Sequence, residues 1–313
     1  MKVITFEDII SLSISPPDCY RWVCDMLQAK EGVILPAKIS LKPREGVFCN
    51  VMPCILNNGY GGVKIVTRYP QREPSLDSKL FLFDVQTGKP LALMDANWIT
   101  AMRTGAVAAH SILLLAKTGF SHLSMLGLGN TARAALLVLA EMMPQKEMQI
   151  NLMKYKGQED LFVQRFASYP NLHFSYVDNE RELIHGAEVV ISAATYLPHD
   201  LCDDAYFDEG VLVVPIHTLG FTNCDLFFDK IYADDYGHVS HFKNFDRFKQ
   251  FSEVSAVIHG KAKGRENDQE RIMVYNIGLA MHDVYFASQI YERIEKENLQ
   301  QIDMREPHEK FWL

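Results

Sequence analysis

Gly127, Gly129 and Ala132 stand in the spacing G-x-G-x-x-A, within the run Ser124-Met125-Leu126-Gly127-Leu128-Gly129-Asn130-Thr131-Ala132. An apolar strand, Leu123 to Leu126, leads into the turn, and a helix rich in Ala and Leu is expected from about Thr131 to Met143. Strand, glycine turn and helix in that order form a cradle for a dinucleotide pyrophosphate. Gly127 permits the tight turn, Gly129 lets the backbone approach the diphosphate, and Ala132 lets the helix pack closely on the strand. The helix start, at Asn130 and Thr131, offers free N–H groups and the positive end of the helix dipole. The next strand, Ile150 to Met153, ends in Lys154-Tyr155-Lys156 at the expected separation from Ala132. An acid there would favour NAD. The lysines, Lys154 first, can instead pair with a 2′-phosphate, so the expected cofactor is NAD or NADP, with NADP preferred.

The elements that must position this turn follow from length and patterning. The chain has 313 residues, enough for one very large domain or two. Apolar residues make up 48%, which supports a substantial core. A net charge of −8 argues against a general nucleic-acid binder. No apolar run approaches the roughly 18 residues of a membrane span, and Met1 to Glu7 lack the apolar core of a signal peptide. Cys19, Cys24, Cys49, Cys54, Cys202 and Cys224 form no C-x-x-C and suit no zinc site. His238 and His241 read as solvated loop histidines, so no metal is expected. Reduced thiols predict a cytoplasmic protein.

Phe6 to Ile10 and Pro17 to Lys30 read as helices. Between Val33 and Val66, short apolar runs broken by Pro36, Pro43, Pro53 and Gly61-Gly62 read as strands of a mixed or antiparallel sheet. Leu80 to Asp84 and Leu91 to Met94 flank Thr87-Gly88-Lys89-Pro90, a hairpin signal. Ala96 to Leu115 reads as a buried helix. Beyond the glycine turn, strands are expected at 149–153, 173–177, 188–192, 211–216 and 230–233, with helices at 158–168 and 180–185. That alternation predicts a mostly parallel sheet with helices on its faces. Glu270 to Lys296 reads as one long helical stretch, and Phe311 and Trp312 as a docked end. The fold class is therefore α/β: a Rossmann-type dinucleotide-binding domain plus a second α+β domain.

Several further motifs fall in a recognisable order. Phe83 to Asp95 leads into Thr100-Ala101-Met102-Arg103-Thr104-Gly105-Ala106. Met52-Pro53 and Gly62-Val63-Lys64-Ile65-Val66-Thr67 precede it; His259-Gly260-Lys261-Ala262-Lys263-Gly264-Arg265 and Tyr275-Asn276-Ile277-Gly278-Leu279-Ala280 follow the glycine turn. Over most of its length the chain thus resembles the ornithine cyclodeaminase/mu-crystallin family. The resemblance implies a dinucleotide-binding domain, residues 118–278, inserted in a second domain, residues 1–117 with 279–313. That second domain would bind substrate and form a homodimer. The implied chemistry is hydride transfer between nicotinamide and the α-carbon of an amino or imino acid. Lys64 falls at the family position that contacts the substrate carboxylate and the reacting centre, Arg103 at one that binds the carboxylate, and Lys38 where the family has Arg or Lys. Thr104, beside Arg103, joins Asn130 and Thr131 as an expected cofactor contact. Burying a carboxylate requires several positive donors, although Lys38 makes a point contact where arginine could bind bidentately.

One departure bears on the reaction. Cyclodeaminases of the family carry an acid/base aspartate in a pattern like N-A-x-G-x-D-x-P-G-K. Aligned from Gly210, this chain has Leu219 at the aspartate and Asn223 at the lysine. Leucine moves no proton. His217, two residues earlier at the end of a strand, is the expected replacement acid, and Asp225 would serve if the loop is shifted. The expected function is an imine reductase or amino-acid dehydrogenase using NAD(P). The alternatives are an ornithine cyclodeaminase, forming proline and ammonia, and a non-catalytic binding protein of the crystallin type.

Overall fold

The structure, a computed structural model, describes residues 1–194, 200–201, 203–216, 221–303 and 310. Two sheets organise it. The first contains β1 (Lys2–Ile4), β2 (Ile39–Arg44), β3 (Val47–Ile55), β4 (Tyr60–Arg68), β5 (Leu76–Asp84) and β6 (Pro90–Asp95), in the order β1-β6-β5-β4-β3-β2. β1 runs parallel to β6 and the remaining pairs are antiparallel. The expected hairpin joins β5 to β6, with Gly88 at φ +71° in its turn.

The second sheet is parallel throughout. It contains β7 (His122–Leu126), β8 (Met148–Met153), β9 (Leu172–Val177), β10 (Val189–Ser192), β11 (Leu212–Pro215), β12 (Lys230–Ala233), β13 (Phe251–Glu253) and β14 (Ile272–Tyr275). Their order is β13-β12-β14-β11-β10-β7-β8-β9. Chain order therefore reverses at β7, between β8 on one side and β10 on the other, which makes the doubly wound switch point where such sheets bind ligands.

The helices are α1 (Phe6–Ser11), α2 (Pro16–Ala29), α3 (Asn97–Leu115), α4 (Asn130–Met142), α5 (Gln158–Gln164), α6 (Glu180–Ile184), α7 (Tyr236–Val239), α8 (Val254–Ile258) and α9 (Ala280–Arg293). Helices α2, α3 and α9 pack on one another, and α9 also packs on β3, β4 and β5. Trp22 of α2 meets Phe286 of α9 edge to face, with ring centroids 4.9 Å apart. Among the described residues, α3 alone is long and apolar enough to cross a membrane. Here it is the central core helix, with Arg103 and His110 buried along it. It crosses α4 closely: a Cβ on Gly105 would lie 2.4 Å from the backbone carbon of Ala134.

Three sequence expectations are corrected. The breakers between Val33 and Val66 lie mostly inside strands. Pro43 sits at a bulge of the edge strand β2, and Pro53 lies beyond the β2 pairing, which begins at Val51. The Phe83 ring covers Gly61 from the neighbouring strand, and Gly62 lets Val284 of α9 approach β4. The long helical stretch from Glu270 divides: Ile272–Tyr275 is a fully buried strand, and the helix begins only after Gly278, at φ +89°. A run of four apolar residues with no polar face suits an interior parallel strand better than a helix. Thirdly, His238 is buried, not solvated: it lies in α7 with its Nδ1 2.8 Å from Asp235 Oδ1. Cys19, Cys24, Cys49 and Cys54 are free thiols. Cys202, Phe311 and Trp312 lie outside the described residues.

Candidate active site

The glycine turn closes β7 at the switch point. Gly127 has φ +83°, and a Cβ there would come within 2.6 Å of Ala194 N and 2.7 Å of Ala193 C, just past β10. Both conformation and space exclude a side chain. Gly129 differs. It is the N-cap of α4 in extended conformation, and a Cβ would meet nothing within 4 Å. The protein itself does not need that hydrogen-only position; an approaching ligand would. No side chain caps α4, so the first N–H groups of Asn130, Thr131 and Ala132 keep their donors for an anion. Ala132 is fully buried against the core. These features fit a dinucleotide diphosphate.

A second cluster forms where the two sheets meet. Lys64 is fully buried on β4, on the same face as Gly62. The close approach of α9 at Gly62 brings in Asp283, also fully buried. Asp283 Oδ1 accepts from Lys64 Nζ at 2.7 Å and from Arg103 Nε at 2.9 Å. Lys64 Nζ also lies 3.4 Å from Thr100 Oγ1. Arg103 is 5% exposed, and its Nη1 is buried without a hydrogen-bond partner in the protein. Gly278 supports the guanidinium: a Cβ there would stand 2.6 Å from Nη1. Burial and the neighbouring Arg103 charge push the Lys64 pKa down to about 7, against the opposing pull of Asp283.

Lys38 joins from the segment before β2. Its Nζ donates to the carbonyl of Ile277 at 3.1 Å, one residue from the glycine that carries Arg103. Burial lowers its pKa, and the Arg103 charge adds to the effect. The loop holding Ile277 and Gly278 is fixed at both ends. Asn276 N donates to Pro215 O, and Asn276 Nδ2 to Ser111 Oγ at 3.1 Å. Gly278 N donates to Asp234 Oδ2 at 2.8 Å. This loop follows β14, and Asp234 follows β12, so the cations stand at the C-terminal edge of the parallel sheet, the edge that bears the glycine turn. His238 Nε2 accepts the Lys38 backbone N–H at 3.3 Å, while its Nδ1–H is turned to Asp235. Among the described residues no His, Cys, Asp and Glu group could hold a metal.

The remaining expectations divide. Thr104 is buried, and its hydroxyl donates to Thr100 O at 2.6 Å, within its own helix. Lys154 leaves β8 and pairs with Asp178 Oδ1 at 2.9 Å on an exposed surface. Asp225 is buried in a separate apolar cluster, where Asn244 Nδ2 donates to it at 2.7 Å. His217 and Leu219 lie outside the described residues. Asp283 and Asp234 were not singled out from the sequence. For Asp283 a signal exists: it shares a helix face with Ala280, Val284 and Ala287, all buried. A carboxylate on an apolar face requires a cationic partner.

Comparison with known proteins agrees with this geometry. Residues 7–298 match the family model described as the ornithine cyclodeaminase/mu-crystallin family. The chain belongs to this family. Among its curated relatives is the nodulation efficiency protein NfeD of Rhizobium meliloti, 29% identical over 84% of this chain and 85% of the relative. Another is N-((2S)-2-amino-2-carboxyethyl)-L-glutamate dehydrogenase of Staphylococcus aureus, 26% identical over 70% and 69%. The fold matches Thermococcus litoralis Delta(1)-pyrroline-2-carboxylate reductase, solved with NADH and L-proline, at a TM-score of 0.83 and 21% identity over 94% of this chain and 97% of that one.

The two glycines separate fold from ligand binding. Gly129→Val should leave the unfolding temperature of the ligand-free protein nearly unchanged while weakening NADH binding about tenfold or more. Gly127→Ala should lower the unfolding temperature as well, because its Cβ strikes backbone. Thermal melts and fluorescence titration with NADH check both; equal melts for the two variants would contradict the distinction.

Proposed function

We propose that the protein is an NAD(P)-dependent oxidoreductase that moves hydride between a nicotinamide and the α-carbon of a small amino or imino acid, working as an imine reductase. The observation that carries this reading is the buried pair Lys64 and Arg103, with the half-buried Lys38 held beside them through Ile277, at the edge that bears the glycine turn. With Asp283 as the acceptor shared by Lys64 and Arg103, the cluster retains positive charge that an α-carboxylate would neutralise. Arg103 would receive that carboxylate through Nη1, and Lys38 would add a second cation. Gly127, Gly129 and the start of α4 would hold the dinucleotide, which when bound supplies or accepts the hydride. Reducing a C=N bond also delivers a proton to nitrogen. Lys64 Nζ, with a pKa of about 7, can hold and release that proton at neutral pH. Its place beside Arg103, the carboxylate receptor, puts that proton next to the reacting centre. The names of the relatives, a reductase of a cyclic imino acid and a dehydrogenase of an amino-acid derivative, support the same chemistry.

At the adenosine end, the reading is that NADPH is accepted as well as NADH. Lys154 leaves β8 where a ribose would lie, and its pair with Asp178 is exposed, so a 2′-phosphate can displace the carboxylate. The test is spectrophotometric: NADH or NADPH is incubated with a panel of cyclic and acyclic α-imino acids. Cofactor oxidation is expected with at least one. Arg103→Met should raise KM for that substrate by about tenfold to a hundredfold, and Lys154→Ala should raise KM for NADPH alone. No oxidation across the panel would contradict the reading, and proline with ammonia from ornithine would assign the cyclodeaminase reaction instead.

The reading extends to a homodimer, with residues 1–117 and 279–313 as the substrate and dimerisation domain. In support, Pro53, Val63, Phe81 and Leu93 form one row across β3 to β6, on the sheet face turned away from α9. Val51 and Ile65 pair beside them, and Ile65 is 44% exposed. Such a partly exposed apolar row is a surface that a second copy of the chain could cover. Light scattering should give a dimer at micromolar concentration and a shift toward monomer for Phe81→Glu. A monomeric parent protein would refute this part of the reading.

A further inference from the structure

We propose that Asp283 is the positioning residue of this site: its single Oδ1 holds the Lys64 ammonium and the Arg103 guanidinium together, leaving their other donors for an incoming carboxylate. The inference rests on the reading of the site as one that binds an α-carboxylate.

The geometry argues for positioning over mere structural pairing. Asp283 engages Arg103 through Nε, not through the terminal nitrogens. A guanidinium held by Nε keeps both Nη groups for a second, planar acid. Nη1 is indeed buried without a partner in the protein. Lys64 likewise keeps a donor: of three N–H bonds, one is turned to Asp283 and one toward the more distant Thr100 hydroxyl. Both nitrogens touch the same oxygen atom, so their separation cannot exceed the sum of two hydrogen-bond lengths. Without a shared anion, two buried cations so close would repel and turn apart. The groups that face Lys64 are Asp283 from α9, Arg103 and Thr100 from α3, and Lys38 from the segment before β2. Asp283 is the one carboxylate hydrogen-bonded to Lys64 among the described residues.

A structural pair alone predicts lower stability and a shifted Lys64 protonation, with KM unchanged. A positioning role predicts, in addition, a raised KM while NADH binding is kept. In the folded protein Lys64 loses its proton near pH 7, and in the unfolded chain near the ordinary value of about 10.4. Between these values the unfolded state binds more protons, so stability rises with pH. Asp283 opposes the downward shift. Its removal must therefore bring the start of that rise to lower pH.

The experiment compares the full-length protein with Asp283→Asn, Asp283→Glu and Lys64→Met. Unfolding temperature is recorded from pH 5 to 10 and NADH binding by fluorescence; KM and kcat are measured on the substrate found in the panel. Asp283→Asn should bind NADH as the parent does, raise KM about tenfold or more, and begin its rise in stability about one pH unit lower. Lys64→Met should lack that part of the rise. Asp283→Glu should recover the parent midpoint more fully than the parent KM, because it restores charge at a displaced position. An unchanged KM in Asp283→Asn overturns the proposal, whatever the midpoint. Should Asp283→Asn fail to fold, the Asp283→Glu protein decides: parent KM overturns it, and a raised KM supports it. Failure of the parent on every substrate sinks the functional reading; Asp283 is then tested by titrating an α-amino acid into the NADH-loaded parent and Asp283→Asn proteins, where equal affinities overturn the proposal and a weakened one in Asp283→Asn supports it.

Discussion

One carboxylate oxygen holding two buried cations is the constraint around which this structure is arranged. Lys64 and Arg103 both donate to Asp283 Oδ1, and both are nearly or wholly removed from water. At a separation of roughly 5 Å and an effective dielectric of about 20, two unit charges repel by about 3 kcal/mol. Removing one partner from such a buried network costs roughly 3–5 kcal/mol, because the remaining charge is left unpaired. The arrangement is therefore demanding, and it holds only if β4, α3 and α9 meet at fixed distances.

Particular residues keep those distances. Gly62 lets α9 lie close on β4, two residues before Lys64. Gly278, at positive φ in the loop after β14, seats the Arg103 guanidinium where any side chain would collide. Asp234 and Asn276 tie the same loop to the ends of β12 and β11. Through this loop Lys38 and Arg103 are held in register with the parallel sheet, whose switch point bears the glycine turn. Glycine turn and cation cluster are thus parts of one edge, although their residues are spread from Lys38 to Asp283 along the chain.

Much of this was legible from local pattern. The G-x-G-x-x-A run, the βα alternation after it and the hairpin at Gly88 have short-range causes, and each falls where the sequence puts it. Lys64, Arg103 and Lys38 were reached through motif resemblance, and the fold brings all three together. What escaped depends on tertiary packing. Ile272 to Tyr275 reads as part of a helix because four apolar residues carry no period, and only the pairing partners β11 and β12 make it a strand. Gly61 and Gly62 read as a break because the Phe83 ring and α9, which make them fit, lie elsewhere in the chain. Asp283 was passed over because its partners lie more than a hundred residues away, although its apolar helix face signalled it.

The most direct measurement follows the proton. Isothermal titration of the amino acid formed by reducing the panel's substrate into the NADH-loaded protein, repeated in buffers of different ionisation enthalpy, counts protons exchanged on binding. A carboxylate entering beside Lys64 and Arg103 must raise the Lys64 pKa above about 7. The account predicts proton uptake that approaches about one per site near pH 8 and fades toward pH 6. Binding with no proton exchange across that range, or no binding at all, would contradict it.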